Sequence, residues 1–139
     1  MFKKILVPLD GSRLAEKVLP QVEKISRCCQ PEVHLFRVVV TYEIEPEKEK
    51  EERDRLLREA WQYLEKVAAR LRKKKIKAHA VVAYGKDAVQ ICEYARKNKL
   101  HLIAMATHGR SGFSRWALGS VADKVLRCSV VPVMLIRVL

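Results

Sequence analysis

The chain has 139 residues, with 28 Lys and Arg against 16 Asp and Glu, a formal net charge of +12, and 49% apolar residues. That length suits one domain over 1–139, able to bury roughly 70% of the surface its unfolded form exposes. No run of about 18 apolar residues occurs, which argues against a membrane span, and Asp10 cuts short the apolar run of MFKKILVPLDGS, so this opening reads as a strand and the protein is expected in the cytoplasm.

KKILVPL, residues 3–9, predicts the first strand. DGS follows, a turn that offers Ser12 as a helix N-cap. Leu14, Ala15, Val18, Val22 and Ile25 recur at helical spacing, with Pro20 inside the pattern as an expected kink. After Gln30–Pro31 comes VHLFRVVV, residues 33–40, a continuous run expected of a strand covered on both faces. Residues 43–54 are dense in charge and should be solvated, as a loop or an opening helical turn. Leu57, Ala60, Leu64, Val67, Ala68 and Leu71 then trace one face of a long helix. It ends in RLRKKKIK, cations where the helix dipole is negative. Residues 76–85 predict a third strand. Asp87 is expected to cap the next helix with Gln90 as its capping-box partner, and Ala88, Ile91, Cys92 and Ala95 form that helix's apolar face. LHLIAM, residues 100–105, is the fourth strand, VADKVLRC opens the last helix, and VVPVMLIRVL, residues 130–139, is the fifth strand.

This alternation implies an α/β fold: an open parallel five-stranded sheet with helices on both faces, Rossmann-like, with right-handed crossovers. Ligands of such sheets bind beyond the carboxyl ends of the strands, where the strand order reverses. The turns at Asp10–Ser12 and after LHLIAM both fall at that end. Cys28, Cys29, Cys92 and Cys128 fit no zinc or redox spacing and are expected as buried thiols in a reducing compartment. His34, His79 and His101 alternate with apolar residues and are expected as partly buried strand side chains.

Residues 106–123, ATHGRSGFSRWALGSVAD, join the fourth strand to the last helix. Phosphate needs donors and positive potential, and a helix N-terminus supplies both. Glycine lets backbone approach an anion, and hydroxyls and arginines add donors. Gly109, Gly119 and Ser120 fit that description, and Arg110 and Arg115 are further candidates, with a solvated surface role equally open for each. His108, Ser111 and Ser114 add polar groups to the same stretch. Neither GxxxxGK[ST] nor GxGxxG is present. A plainer reading also stands: Gly109 and Gly112 make turns, and Gly119 permits tight packing. Asp123, one turn into the helix, is the nearest carboxylate to the glycines and the candidate base for a water molecule.

ILVPLDGS, VHLFRVV, LIAMATHGRSGFSRWALGSVADKVLR and VPVMLIR together resemble a single-domain universal stress protein, over essentially the whole chain. Nucleotide-binding members of that family carry Gly, two residues, Gly, nine residues, Gly, then Ser or Thr. Gly109, Gly119 and Ser120 match this pattern, and Ala106 stands where the first glycine belongs. The resemblance implies an ATP-binding protein with a regulatory or stress-response role and at most slow hydrolysis. It implies Asp10 and Val38 on the adenine and ribose side, and Met105 and Ala106 as the pocket floor. Gly109, Gly119, Ser120 and Val121 would then meet the ribose and phosphates, with Mg2+ held partly by Ser120 and the phosphates. It also implies a homodimer through strand 132–138. A dimeric scaffold that binds no nucleotide is the alternative, supported by Ala106. A basic nucleic-acid-binding module is set aside, because the cations are spread along the chain and 6% aromatic residues offer no stacking platform.

Overall fold

In β1 (Lys4–Pro8), Ile5 and Val7 enter one core layer while Leu6 enters the other, and all three are fully buried. A strand alternates its side chains in this way, so an apolar run without polar breaks requires cover on both faces. The computed structural model describes residues 2–40, 46–110 and 117–138. Glu43, Ile44 and Glu45 of the charged run, and Ser111, Gly112, Ser114 and Arg115, lie outside the described residues.

After β1 a 3-10 turn, Ala15–Val18, leads into α1 (Leu19–Cys29). β2 (Glu32–Val40), α2 (Glu49–Lys73), β3 (Lys77–Gly85), α3 (Asp87–Lys97), β4 (Leu102–Ala106), α4 (Ser120–Cys128) and β5 (Val133–Ile136) complete the alternation. All strand pairs are parallel, in the order β3-β2-β1-β4-β5. The chain therefore leaves β1 to one side and returns on the other, so the order reverses between β1 and β4.

Ile5, Val7, Val33 and Leu35 meet Val22 of α1 and Leu64, Ala68 and Leu71 of α2 in one layer. Leu6, Phe36, Ile103 and Met105 meet Ala88, Ile91 and Ala95 of α3 and Ala122 and Val125 of α4 in the other. Each fully buried Leu or Ile contributes on the order of 2 kcal/mol through burial. The face expected for α2 is the observed one: Ala60, Leu64, Val67, Ala68 and Leu71 are buried. Described residues of the charged run extend from a 3-10 turn, Pro46–Lys48, into the largely exposed start of α2.

Several local expectations need correction. Pro20 does not kink a helix: it sits in the first turn of α1, where its missing N–H has no partner to lose. Ser12 is not the N-cap of α1: it lies ahead of the 3-10 turn, whose N-cap is Leu14, and its Oγ accepts the Ala15 N–H at 3.1 Å. Asp87 is the first residue of α3 rather than its cap. Its carboxylate accepts the Ala88 N–H at 2.7 Å, and no side chain caps α3 among the described residues. His79 and His101 are exposed, and His101 lies outside β4. Its Nδ1 accepts the Lys3 and Lys4 amides at 3.0 and 3.1 Å. His34 is half-buried as expected and bonds the Tyr94 hydroxyl at 2.7 Å. Two of the four cysteines are not thiols: Cys92 of α3 and Cys128 of α4 form a disulfide. Cys28 is exposed and Cys29 half-buried, both as free thiols. No described helix is long and apolar enough to cross a membrane.

Candidate functional site

The carboxyl ends of β1 and β4 open a cavity of about 420 Å3 at the point where the strand order reverses. Asp10, Val38, Met105, Ala106, Gly109, Arg110, Gly119, Ser120 and Val121 all border it. These are the nine positions singled out in the sequence, drawn from four segments that the parallel topology brings to one end. Phe36, Val38, Ile91, Met105 and Ala106 give it apolar walls, while Asp10, Asp87, Arg110 and the start of α4 supply polar groups. Its volume falls within the usual range of small-molecule sites.

Asp10 ties the two loops together. Its Oδ1 accepts the Ser12 N–H at 2.9 Å and its Oδ2 the Arg110 N–H at 2.6 Å. Burial alone would raise its pKa, but the hydrogen bonds from Ser12 and Arg110, with the Arg110 charge, hold the carboxyl below its ordinary value. Arg37, on the opposite face of β2, lies over the Tyr63 ring at 5.2 Å. Burial and the neighbouring Arg110 charge lower its pKa from the usual guanidinium value.

The glycines answer two of the open alternatives. A Cβ on Gly119 would stand 2.7 Å from the Thr107 carbonyl oxygen and 3.2 Å from His108 Cα, both backbone atoms that cannot swing away. The Gly119 N–H donates to that same carbonyl at 2.8 Å. A Cβ on Gly109 would collide with the Asp10 carboxylate. Both glycines are thus required by the protein's own packing, Gly119 within its loop and Gly109 against the loop after β1. A ligand's approach is a separate matter.

His108 and Thr107 brace the loop from beneath. The Val138 N–H donates to Thr107 Oγ1 at 3.2 Å, which leaves the hydroxyl proton for His108 Nδ1 at 2.9 Å. His108 Nε2–H in turn donates to the Ala117 carbonyl at 2.7 Å. The Thr107 N–H reaches the Ile136 carbonyl at 3.0 Å. This chain of bonds fixes the imidazole tautomer and gives His108 a structural duty.

Gly119 takes an extended conformation at the N-cap of α4, and no side chain caps the helix among the described residues. The amides of Ser120, Val121 and Ala122 lack intrahelical acceptors by their position, and these three residues border the cavity. Together with the helix dipole they suit an anion. Asp123 faces elsewhere, 3.2 Å from Arg127. No group of three His, Cys, Asp or Glu side chains able to hold a metal occurs among the described residues. Asp87, Phe36, Ile91 and Thr107 were not anticipated. Asp87 was legible in principle, since it follows β3 at the same end of the sheet as the turns after β1 and β4.

An open parallel sheet with a half-apolar cavity at its switch point, closed by a helix N-terminus, defines a doubly wound α/β protein. The chain matches the universal stress protein family profile over residues 1–137, and it belongs to that family. It is 32% identical to universal stress protein MJ0531 of Methanocaldococcus jannaschii, over 99% of this chain and 83% of the relative. The solved structure of MJ0577 from the same organism superposes with a TM-score of 0.91 at 30% identity, covering 100% of this chain and 98% of that one. A universal stress protein from Arabidopsis thaliana, solved with AMP bound, shares the fold at a TM-score of 0.72 and 19% identity, covering 97% and 91%.

Proposed function

We propose that this chain is a single-domain cytoplasmic regulator that binds ATP in the cavity at the β1–β4 switch point and acts as a homodimer joined through β5. The observation that carries the reading is the convergence of an apolar slot with an uncapped helix N-terminus. Val38, Ile91, Met105 and Ala106 offer a dry lining for the adenine ring. Each Asp10 oxygen keeps a second lone pair for a ribose hydroxyl or the adenine amino group. The amides of residues 120–122 and the Ser120 hydroxyl receive phosphate oxygens, an arrangement worth about 1–2 kcal/mol from the dipole in a partly buried site. The AMP bound by the Arabidopsis relative supports an adenine nucleotide as the ligand class.

Magnesium suits this site only as part of the nucleotide complex, because the described residues hold no carboxylate cage for it. Both Asp10 oxygens already serve backbone amides. The ion would supply charge neutralisation at the phosphates, with Ser120 as its one protein ligand.

Calorimetric titration with ATP and AMP, with and without magnesium, tests the reading. Micromolar ATP binding is expected. Ala106 is a strand residue without a positive φ, a conformation alanine tolerates as well as glycine. Ala106→Gly should therefore change affinity by less than a factor of about five, or about 1 kcal/mol. Absence of binding by the natural chain, restored in Ala106→Gly, would establish the scaffold reading instead.

A further inference from the structure

In this fold every strand start and every helix end between strands lies at one end of the sheet, opposite the cavity. The row Lys4–Glu32–Lys77 crosses the first residues of β1, β2 and β3. Lys3 and His101 stand beside it, joined by the bond from the Lys3 amide to the His101 ring. α2 ends at Lys73 and α3 at Lys97, and Lys75 and Lys99 occupy the turns that follow. The cations that looked scattered in the sequence are gathered here by topology. Of the acids at this end, Glu23 is paired with Lys74 at 2.8 Å and Glu93 with Arg96 at 2.9 Å and Lys97 at 3.8 Å, while Glu32 stands between Lys4 and Lys77 with only His34 at 3.5 Å, an imidazole whose pKa burial lowers. Lys3, Lys73, Lys75, Lys77 and Lys99 are exposed and form no ion pair among the described residues.

Favourable placement at helix C-termini accounts for Lys73. It does not account for Lys3 and Lys77, which flank or begin strands. Lys75 and Lys99 are held at φ of 66° and 53°. That left-handed conformation after a helix is usually filled by glycine or asparagine, because a Cβ there is strained. Three helix ends on this surface take that conformation, at Gln30 (φ 51°), Lys75 and Lys99; none carries the glycine or asparagine it favours, and two of the three carry lysine.

We infer that this end of the molecule docks the phosphate backbone of a double-stranded nucleic acid, without regard to base sequence. Its positive charge is fixed on the ends of rigid elements. Among the described residues the exposed large apolar side chains are Trp61, Val89, Leu118, Leu126 and Val130. Of these, only Leu126, in the last turn of α4, and Val130, in the turn between α4 and β5, fall at this end, and neither is aromatic, so they form no base-stacking platform. The surface is independent of the nucleotide cavity at the other end.

The test is fluorescence anisotropy of a short labelled DNA duplex of mixed sequence, and of the matching RNA duplex, titrated with the full chain between about 50 and 200 mM salt. If each of the five lysines meets one phosphate, log affinity should fall against log salt with a slope of about −4.5 for at least one duplex. Lys75→Gly/Lys99→Gly should reduce that slope by about 1.8 while raising the thermal midpoint, because the strained φ angles are relieved. Lys50→Gln/Lys66→Gln, which removes the same charge from exposed positions of α2, should leave the slope unchanged. An equal effect of both double variants would reduce the binding to net charge and overturn the proposal. So would binding to anionic phospholipid vesicles with none to either duplex.

Discussion

Asp10 is the residue on which the two cavity loops meet, since one carboxylate serves amides from both. Asp10→Asn would turn an NH2 group toward one of those amides. A hydrogen bond to a charged acceptor contributes about 1.5–3 kcal/mol, so urea unfolding should show a loss of about 1–2 kcal/mol at neutral pH. The sign on the acid side follows from its lowered pKa. A carboxyl depressed in the folded state stabilises fully above its unfolded value and ceases to do so as pH falls through its folded value. The natural chain should therefore lose this contribution on acidification, and the Asn variant should show a flatter acid limb. Gly119 calls for a different experiment. Gly119→Val should lower the thermal midpoint without any ligand, because its Cβ meets the Thr107 carbonyl. Ser120→Ala, on an exposed residue, should leave the midpoint unchanged and weaken ATP by about fivefold, the worth of one hydrogen bond. Calorimetry and thermal melts together separate the two effects. The spacing of Gly109, Gly119 and Ser120 was legible in the sequence. That the glycines are demanded by Asp10 and Thr107 was not, since the Gly109–Asp10 contact crosses between loops that only the folded sheet brings together and the Gly119–Thr107 contact joins the two ends of one long connection.

At the scale of elements, periodicity located the five strands and four helices because their apolar residues follow the pattern of their burial. It failed where a single residue has two lawful positions. Pro20 fits a helix's first turn as well as a kink, and Asp87 fits either N-cap or first helical position. The Cys92–Cys128 bond was illegible for a stronger reason: it depends on α3 and α4 lying side by side, and a separation of 36 residues carries no such information. Both helices contribute to the cavity, α3 through Asp87 and Ile91 and α4 through Ser120 to Ala122. In the chain-entropy account a loop of that length gives about 4 kcal/mol of stabilisation. Thermal melts with and without dithiothreitol should show a large drop on reduction. Cys92→Ser/Cys128→Ser should reproduce the reduced midpoint and ignore the reagent. An unchanged melt would show that the helices need no covalent tie.

For the molecule as a whole, the sheet's class and the end of the sheet that carries the cavity were both readable, because strand and helix alternate without exception. The position of β5 at the sheet edge agrees with the expected pairing strand, although it runs only over Val133–Ile136 and not the full apolar tail. All four of its residues are half-buried. An apolar edge with unpaired backbone groups favours addition of another strand, and a second copy of the chain offers the same edge. Light scattering at micromolar concentration should give twice the 16.0 kDa chain mass. A monomer would leave that edge to some other cover. The convergence of lysines on the opposite end could not be read before the fold, because Lys3 and Lys99 join the run around Lys75 and Lys77 only when the strands are laid parallel.

The bond between Cys92 and Cys128 also makes part of the chain a closed ring. β4, Thr107, His108, both cavity glycines and nearly all of α4 lie on it. A protease that cuts once anywhere in that ring, the loop between β4 and α4 included, opens it without dividing the protein. On a denaturing gel the nicked chain would keep its full mass until a thiol is added, and then fall apart into two pieces that report where the cut was made.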